Sequence, residues 1–280
     1  MAASALSSSA GGRVAIVTGA NKGIGYCIAQ QLAESGKFSR IILGCRSEER
    51  GHEAAAKLGG ITECAKLDLA DSASIDAFAA DIQSRVGRCD VLVNNGAIAF
   101  KGSDPTPFKE QTEPTLRSNY YGTVRLTQNL LPLIKATGEN PQVVNVASMA
   151  GKLAQIRSEQ LRDAFTAPTL TKEGLDELVG AFASAVAAGN HAQQGWGNSN
   201  YGFSKLAVIA YTKMLAREQS PGPVKVNCCC PGYCSTDMSS HGGSRTASDG
   251  ARNAVMLALQ EPGPNALNGE FIQDWAVGSW

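Results

Sequence analysis

The chain has 280 residues, and its 25 Lys and Arg residues balance 25 Asp and Glu residues, so the formal net charge is zero. A chain without a basic excess is a poor candidate for binding nucleic acid. Hydrophobic residues make up 43% of the sequence and charged residues 18%, which excludes a disordered, collagen-like or coiled-coil protein. The apolar runs are all too short to cross a bilayer, so we expect no membrane segment.

Residues 1–12 are rich in serine and alanine and lack the apolar core of a signal peptide, which predicts a flexible N-terminal tail. The eight cysteines are few for a chain of this length, and their spacing contains no pair of CxxC motifs that would indicate zinc. We therefore expect reduced thiols, a cytoplasmic location and no bound metal.

Apolar, often β-branched runs predict strands, and the amphipathic stretches between them predict helices. The predicted strands are Arg13–Thr18, Ile41–Leu43, Glu63–Leu69, Val91–Val93, Gln142–Val146, Val224–Cys229 and Phe271–Ile272. The predicted helices run from Ile24 to near Gly36 and over Glu48–Leu58, Ser72–Val86, Glu113–Lys135, Tyr201–Arg217 and Ala247–Leu259. Strands that alternate with helices in this way predict an α/β fold, with a doubly wound parallel sheet covered by helices on both faces.

The domain organisation follows from the same pattern. Length alone slightly favours two domains, but no linker or change of composition divides the chain. We therefore predict one domain over residues 13–280. The alternation is interrupted only by residues 151–200, a helix-prone stretch that we expect to be a helical insertion before the helix that begins at Tyr201.

A glycine-rich turn, residues 18–25, lies between the first predicted strand and the first helix, where a Rossmann fold binds a dinucleotide. Gly19 permits a sharp turn, Gly23 lets the pyrophosphate approach the backbone, and Gly25 lets the helix pack on the strand. The spacing is TGxxxGxG rather than GxGxxG. The other residues of the turn that we expect to contact the cofactor are Asn21, Lys22 and Ile24.

The residues after the second strand indicate NADP(H) rather than NAD(H). An NAD site needs a carboxylate there for the ribose hydroxyls, whereas this strand runs into Arg46. Arg46 would pair with the 2′-phosphate, and Lys22 would add a second positive charge. The alternative is that Arg46 is a solvated residue at the start of a helix. Asp68, after the third strand, is either a partner for the adenine amino group or a helix cap.

Three further motifs follow: Asn94-Asn95 after the fourth strand, Ser148 after the fifth, and Tyr201-Gly-Phe-Ser-Lys205 on a helix. Together with the glycine turn they resemble the classical short-chain dehydrogenases/reductases, from about Arg13 to the end of the chain. The long gap between Ser148 and Tyr201 is similar to the monomeric NADPH-dependent carbonyl reductases of animals. Four further segments share this narrower resemblance, and they are Asp104–Phe108, Leu130–Lys135, Gly195–Trp196 and Cys229–Gly232.

The chemistry of carbonyl reduction agrees with this resemblance. Hydride transfer to a ketone builds negative charge on its oxygen, which requires a proton donor and a hydrogen-bond donor. Tyr201 would donate the proton, and Ser148 would hold the oxygen. Lys205 lies one helical turn after Tyr201, and its ammonium, like the positive ring of oxidised nicotinamide, would lower the tyrosine pKa. The resemblance further implies that Asn119 binds a water that links to the lysine.

The resemblance also implies cofactor contacts elsewhere in the chain. Asn95 and Gly96 correspond to the loop that lines the adenosine, although the usual Asn-Asn-Ala-Gly is Asn94-Asn-Gly-Ala97 here, which leaves the role of Gly96 open. Pro231 and Gly232 would lie beside the nicotinamide, and Thr236 would contact its amide or the phosphate. The predicted cofactor contacts outside the turn are Arg46, Asp68, Leu69, Asn95, Gly96, Tyr201, Lys205, Pro231, Gly232 and Thr236.

Candidates for the substrate wall are Met149, Trp196, Tyr233 and Met238, with packing in the core as an equal alternative for each. Cys230 matches a cysteine near the pocket that reacts with electrophiles in the animal reductases, and a buried, unreactive thiol is the alternative. The predicted substrate contacts are therefore Ser148, Met149, Trp196, Tyr201, Cys230 and Tyr233.

These residues predict an enzyme that reduces aldehydes, ketones and quinones with NADPH. One alternative is a dedicated ketone reductase of small-molecule biosynthesis, as in plant relatives that share the long insertion. Another is a catalytically silent NADP(H) sensor, whose mark would be the loss of Tyr201 or Lys205. The insertion carries apolar residues that would cover the helix through which oligomeric relatives associate, so we predict a monomer. These residues are Leu161, Phe165, Leu175, Leu178, Phe182 and Val186.

Overall fold

A computed structural model describes residues 12–138 and 140–280, so all of the predicted tail except Gly12 lies outside the described residues. The described strands are Arg13–Thr18 (β1), Phe38–Cys45 (β2), Thr62–Lys66 (β3), Val91–Asn94 (β4), Gln142–Val146 (β5), Lys225–Cys229 (β6), Phe271–Gln273 (β7) and Ala276–Val277 (β8). The described α-helices are Gly23–Glu34 (α1), Glu48–Leu58 (α2), Ser72–Asp81 (α3), Phe108–Leu116 (α4), Gly122–Ala136 (α5), Glu159–Thr166 (α6), Lys172–Ala187 (α7), Asn200–Glu218 (α8) and Ala247–Ala258 (α9).

The strands form one sheet in the order β3-β2-β1-β4-β5-β6-β7-β8. All neighbouring pairs from β3 to β7 are parallel, and only the short β8 is antiparallel to its neighbour. This arrangement confirms the predicted α/β fold with a doubly wound parallel sheet. The strand order reverses between β1 and β4, and such a reversal opens a crevice at the carboxyl ends of the strands.

The central strands are apolar along their whole length because helices cover both faces of the sheet. Ile16, Leu92 and Val143 belong to the hydrophobic core on one face, whereas Val17 and Val93 belong to the core on the other. Successive side chains of a strand point to opposite faces, so each strand supplies both cores. Thr18, the last residue of β1, and Asn95, the first residue after β4, line the crevice.

Several elements differ from those predicted. The second strand is longer, Phe38–Cys45 instead of Ile41–Leu43, and the helix predicted over Ser72–Val86 is α-helical only to Asp81 and continues as a π-type turn, Ile82–Val86. The third strand ends at Lys66 rather than Leu69, and the two-residue β8 was not predicted because its exposed residues form no apolar run. The helix predicted over Glu113–Lys135 begins at Phe108, and a π-type turn, Arg117–Tyr121, separates α4 from α5. Apolar periodicity reports which face is buried, but the change to i→i+5 hydrogen bonding depends on tertiary contacts.

The predicted insertion contains two 3₁₀ turns, Met149–Gly151 and Leu153–Gln155, followed by α6 and α7. These elements cover α8, and the ring of Phe182 on α7 stacks on that of Phe203 with centroids 3.8 Å apart. Among the described residues, every helix is too short or too polar to cross a bilayer.

Replacing Phe182 with alanine tests how strongly the insertion holds α8. The change removes a fully buried ring, so we expect the free energy of unfolding to fall by about 3–5 kcal/mol. Lys135→Ala, on the exposed face of α5, serves as the control and should change it by less than about 0.5 kcal/mol. Urea denaturation of both variants measures the difference, and equal stabilities would contradict the packing described.

Candidate active site

A cleft of about 410 Å³ lies at the carboxyl ends of β1, β4 and β5, where the strand order reverses. Nearly all of the predicted cofactor residues line this cleft, although they come from segments far apart in the chain. Those that do are Gly19, Asn21, Lys22, Gly23, Ile24, Gly25, Arg46, Asp68, Leu69, Asn95, Gly96, Tyr201, Lys205, Pro231 and Thr236.

The glycine turn fits a phosphate group. Gly19 and Gly23 have φ angles of 65° and 58°, which favour glycine. A Cβ on Gly25 would lie 2.5 Å from the carbonyl oxygen of Gly19, so no side chain fits between the turn and α1. No described side chain caps α1 at Lys22, which leaves the first backbone N–H groups of the helix available for an anion.

The loop after β4 is pressed against the glycine turn. The side chain of Asn95 donates to the carbonyl oxygen of Thr18 at 2.9 Å, and the Thr18 hydroxyl oxygen accepts from the N–H of Gly96 at 2.8 Å. A Cβ on Gly96 would lie 2.9 Å from Leu69 Cδ1, and one on Gly19 would lie 2.8 Å from Gly96 Cα. The close approach of the two backbones therefore requires the glycine at position 19, whereas a side chain at position 96 would first meet the end of the Leu69 side chain.

The basic residues at the adenosine end of the cleft are not equivalent. Arg46 is exposed and lines the cleft, and so does Arg50, which lies one turn into α2 and was not predicted. Its spacing of four residues from Arg46 was the available signal. Lys22, in contrast, forms an ion pair of 2.5 Å with Asp237 across the mouth of the cleft. Asp68 accepts a hydrogen bond from the N–H of Ala70 at 2.9 Å, so part of its carboxylate is used in a local turn.

The predicted catalytic side chains meet at one end of the cleft. The hydroxyl oxygen of Ser148 accepts from the N–H of Ala150 at 3.1 Å, and the Ser148 side chain lies close enough to Tyr201 to lower the pKa of its phenol. Lys205 is buried, donates to the carbonyl oxygen of Val146 at 2.8 Å, and lies 5.7 Å from the centre of the Tyr201 ring.

The pKa of Tyr201 differs from the sequence-based expectation. Burial raises the pKa of this phenol to about 12, and the neighbouring Ser148 side chain opposes that rise. Burial also lowers the pKa of Lys205 to about 8. Burial therefore has the largest effect in the protein alone, and the net shift is opposite to the predicted one. The lowering by the Lys205 ammonium and by oxidised nicotinamide stays a prediction.

Asn119 lies in the π-type turn between α4 and α5. Its amide donates to the carbonyl oxygen of Ile98 at 2.9 Å and to the hydroxyl of Ser204 at 3.0 Å, while its oxygen accepts from the N–H of Ile98 at 2.8 Å. The side chain thus joins the loop after β4 to α8. The water link to Lys205 stays a prediction.

The predicted substrate residues divide into two groups. Met149 and Tyr233 are exposed, with 61% of Tyr233 accessible, and Met238 lines the cleft. Trp196 is only 3% exposed and makes edge contacts with the rings of Phe165, Phe182 and Phe203, which agrees with the core alternative and removes it from the wall.

Cys230 and Gly232 flank Pro231, which lines the cleft, but neither of them lines it. The Cys230 thiol is buried, and its sulfur accepts from the N–H groups of Met149 and Gly232, both at 3.3 Å. This placement agrees with the buried-thiol alternative. Gly232 has a φ of 79°, and a Cβ there would lie 2.6 Å from the Arg245 guanidinium, so the backbone turns sharply after Pro231.

Comparisons with known proteins agree with this geometry. The sequence model of one family, described as short chain dehydrogenase, matches residues 13–160 and 169–246. Carbonyl reductase [NADPH] 1 of Mus musculus is 41% identical over 277 residues, which cover 95% of this chain and 98% of that protein. Among solved structures, salutaridine reductase from Papaver somniferum superposes with a TM-score of 0.83 at 30% identity, covering 92% of this chain and 99% of that one. Menthone neomenthol reductase from Mentha piperita has a TM-score of 0.77 at 29% identity and covers 93% and 98%. The chain belongs to the short-chain dehydrogenase/reductase family.

Proposed function

We propose that this protein is an NADPH-dependent carbonyl reductase that converts aldehydes, ketones and quinones to alcohols or hydroquinones. The observation that carries the proposal is the position of Tyr201, which lies next to Ser148, has Lys205 beside its ring, and lines the same cleft as the glycine turn and Arg46. The relatives named carbonyl reductase [NADPH] are 38–41% identical to nearly the whole chain, which supports the same activity.

The mechanism assigns one task to each side chain. The chemistry that NADPH supplies when bound is a hydride for the carbonyl carbon. Ser148 donates a hydrogen bond to the carbonyl oxygen and fixes its direction. Tyr201 gives its phenolic proton to that oxygen as negative charge develops there. Lys205 stabilises the resulting phenolate by its charge, and Arg46, with Arg50 beside it, binds the 2′-phosphate.

The alternatives fit the chain less well. A silent NADP(H) sensor would have no need of Tyr201 and Lys205, which both line the cleft. A dedicated ketone reductase of small-molecule biosynthesis is the second candidate, because two plant reductases superpose with TM-scores of 0.83 and 0.77. Their identities of 30% and 29% are lower than the 41% shared with the animal carbonyl reductase.

Tyr201→Phe tests the proton donor. The variant keeps the ring but loses the proton, so we expect the turnover number for carbonyl reduction to fall by about 10³-fold while the Kd for NADPH stays the same. Tyr121→Phe, at an exposed tyrosine outside the cleft, is the matched control and should keep its turnover. Steady-state kinetics and NADPH fluorescence titration provide the two measurements, and unchanged turnover in Tyr201→Phe would refute the mechanism.

Arg46→Ala tests the cofactor assignment. A lost charge-assisted hydrogen bond to the 2′-phosphate should raise the KM for NADPH by about tenfold to a hundredfold and leave the KM for NADH unchanged. Arg125→Ala is the control. Arg125 on α5 pairs with Asp76 on α3, and its removal should change neither the KM for NADPH nor the KM for NADH. Equal effects of Arg46→Ala on both cofactors would indicate that Arg46 is only a solvated residue.

We also propose that the protein is a cytoplasmic monomer with residues 13–280 as one domain. All eight cysteines are free, which suits a reducing compartment, and the described strands join one sheet. Burial of 15 of the 19 residues of α8 leaves little of its surface for another subunit. Size-exclusion chromatography with light scattering should give a mass near 29.2 kDa. A stable tetramer would contradict the proposal.

A further inference from the structure

The turn that follows Ser148 is held by two side chains that the mechanism does not use. Gln155 Nε2 donates to the carbonyl oxygen of Ala150 at 2.7 Å and to that of Gly202 at 3.2 Å. Trp280 Nε1 donates to the carbonyl oxygen of Gly151 at 3.0 Å. We call Gln155 and Trp280 the carbonyl clamp, because each binds a carbonyl of the 3₁₀ turn Met149–Gly151.

The clamped turn packs directly on the backbone of α8. A Cβ on Gly151 would lie 2.7 Å from the carbonyl carbon of Lys205, and a Cβ on Gly202 would lie 2.8 Å from the carbonyl oxygen of Ala150. The contacts thus occur at both ends of the Tyr201–Lys205 turn of the helix. Without intervening side chains, small movements of the turn change the distance between Ser148 and Tyr201.

Ala150 transmits the effect of the clamp to the serine. Its carbonyl oxygen accepts from Gln155, and its N–H donates to the hydroxyl oxygen of Ser148 at 3.1 Å. With this acceptor position filled, the serine hydroxyl is oriented to donate its own proton. Gln155 also binds Gly202, the residue next to Tyr201, so one amide group sets the position of both partners.

We propose that Gln155 is a positioning residue for proton transfer, which holds Ser148 against Tyr201 through Ala150 and Gly202, with Trp280 as a second support at Gly151. This inference rests on the proposed function. The insertion would then have a role in proton transfer in addition to covering α8.

Loss of the carbonyl clamp should shift the pKa of Tyr201 in a predictable direction. The neighbouring Ser148 side chain lowers the pKa of Tyr201, so a misplaced serine raises that pKa. Alcohol oxidation, the reverse reaction, requires the phenolate, and its rising pH limb therefore moves to higher pH. Carbonyl reduction slows because the serine donor no longer meets the oxygen. We expect NADPH to bind as in the wild type, since neither Gln155 nor Trp280 lines the cleft and the glycine turn and Arg46 are unchanged.

The experiment compares Gln155→Met with Gln111→Met. Both changes keep the length of the side chain and remove hydrogen bonding from a side-chain amide to a backbone carbonyl. In the control, Gln111 Nε2 donates to the carbonyl oxygen of Thr106 at 2.7 Å. For Gln155→Met we expect kcat for reduction to fall about tenfold, an unchanged Kd for NADPH, and the shifted pH limb in oxidation. Gln111→Met should resemble the wild type. Trp280→Phe, which keeps a ring without the N–H, should show the same changes to a smaller extent.

Several outcomes would overturn the inference. If the rising pH limb of alcohol oxidation in Gln155→Met matches that of the wild type, with or without a lower kcat, Gln155 has a structural role only. Gln155→Glu, which keeps the volume but replaces the donor with an acceptor, provides a second variant. Whichever of Gln155→Met and Gln155→Glu still binds NADPH shows, by its pH limb, whether Gln155 positions Ser148. If neither binds NADPH, Gln155 supports the fold rather than the serine. An inactive wild-type protein would instead refute the proposed function.

Discussion

The hydrogen bond from Lys205 to the carbonyl oxygen of Val146 is the interaction on which the active site depends. Val146 is the last residue of β5, and Ser148 follows two positions later. A buried ammonium needs hydrogen-bond partners, so this bond ties α8 to the strand that carries the serine. Tyr201 lies one turn before Lys205 on the same helix, and its position relative to Ser148 follows from the same contact.

Burial acts on the two titrating side chains in opposite directions. It favours the neutral form of each group, so it keeps the proton on the Tyr201 phenol and weakens the hold of Lys205 on its proton. For carbonyl reduction this is a consistent arrangement, because the reaction starts from the protonated phenol. The neighbouring Ser148 side chain lowers the pKa of the phenol and so eases loss of that proton.

The insertion packs around α8 and adds further contacts near the catalytic side chains. Its aromatic residues enclose the helix, and Tyr120 in the π-type turn donates to the carboxylate of Asp176 on α7 at 2.8 Å. Its 3₁₀ turns continue directly from Ser148. The segment therefore covers a surface and also braces the chain on either side of the catalytic groups.

The sequence by itself determined the sheet, the glycine turn and the one-turn spacing of Tyr201 and Lys205, while the grouping of Ser148 with them came from the resemblance to a family. The first three depend on local spacing, since the apolar period sets strands and helices, and parallel strands bring their carboxyl ends to one edge. Only the tertiary structure decided that Trp196 belongs to the core, that Lys22 pairs with Asp237, and that burial raises the Tyr201 pKa. The physical reason is that these outcomes depend on which side chains meet across long stretches of chain and on how much water remains around them, and neither is encoded in the spacing of neighbouring residues.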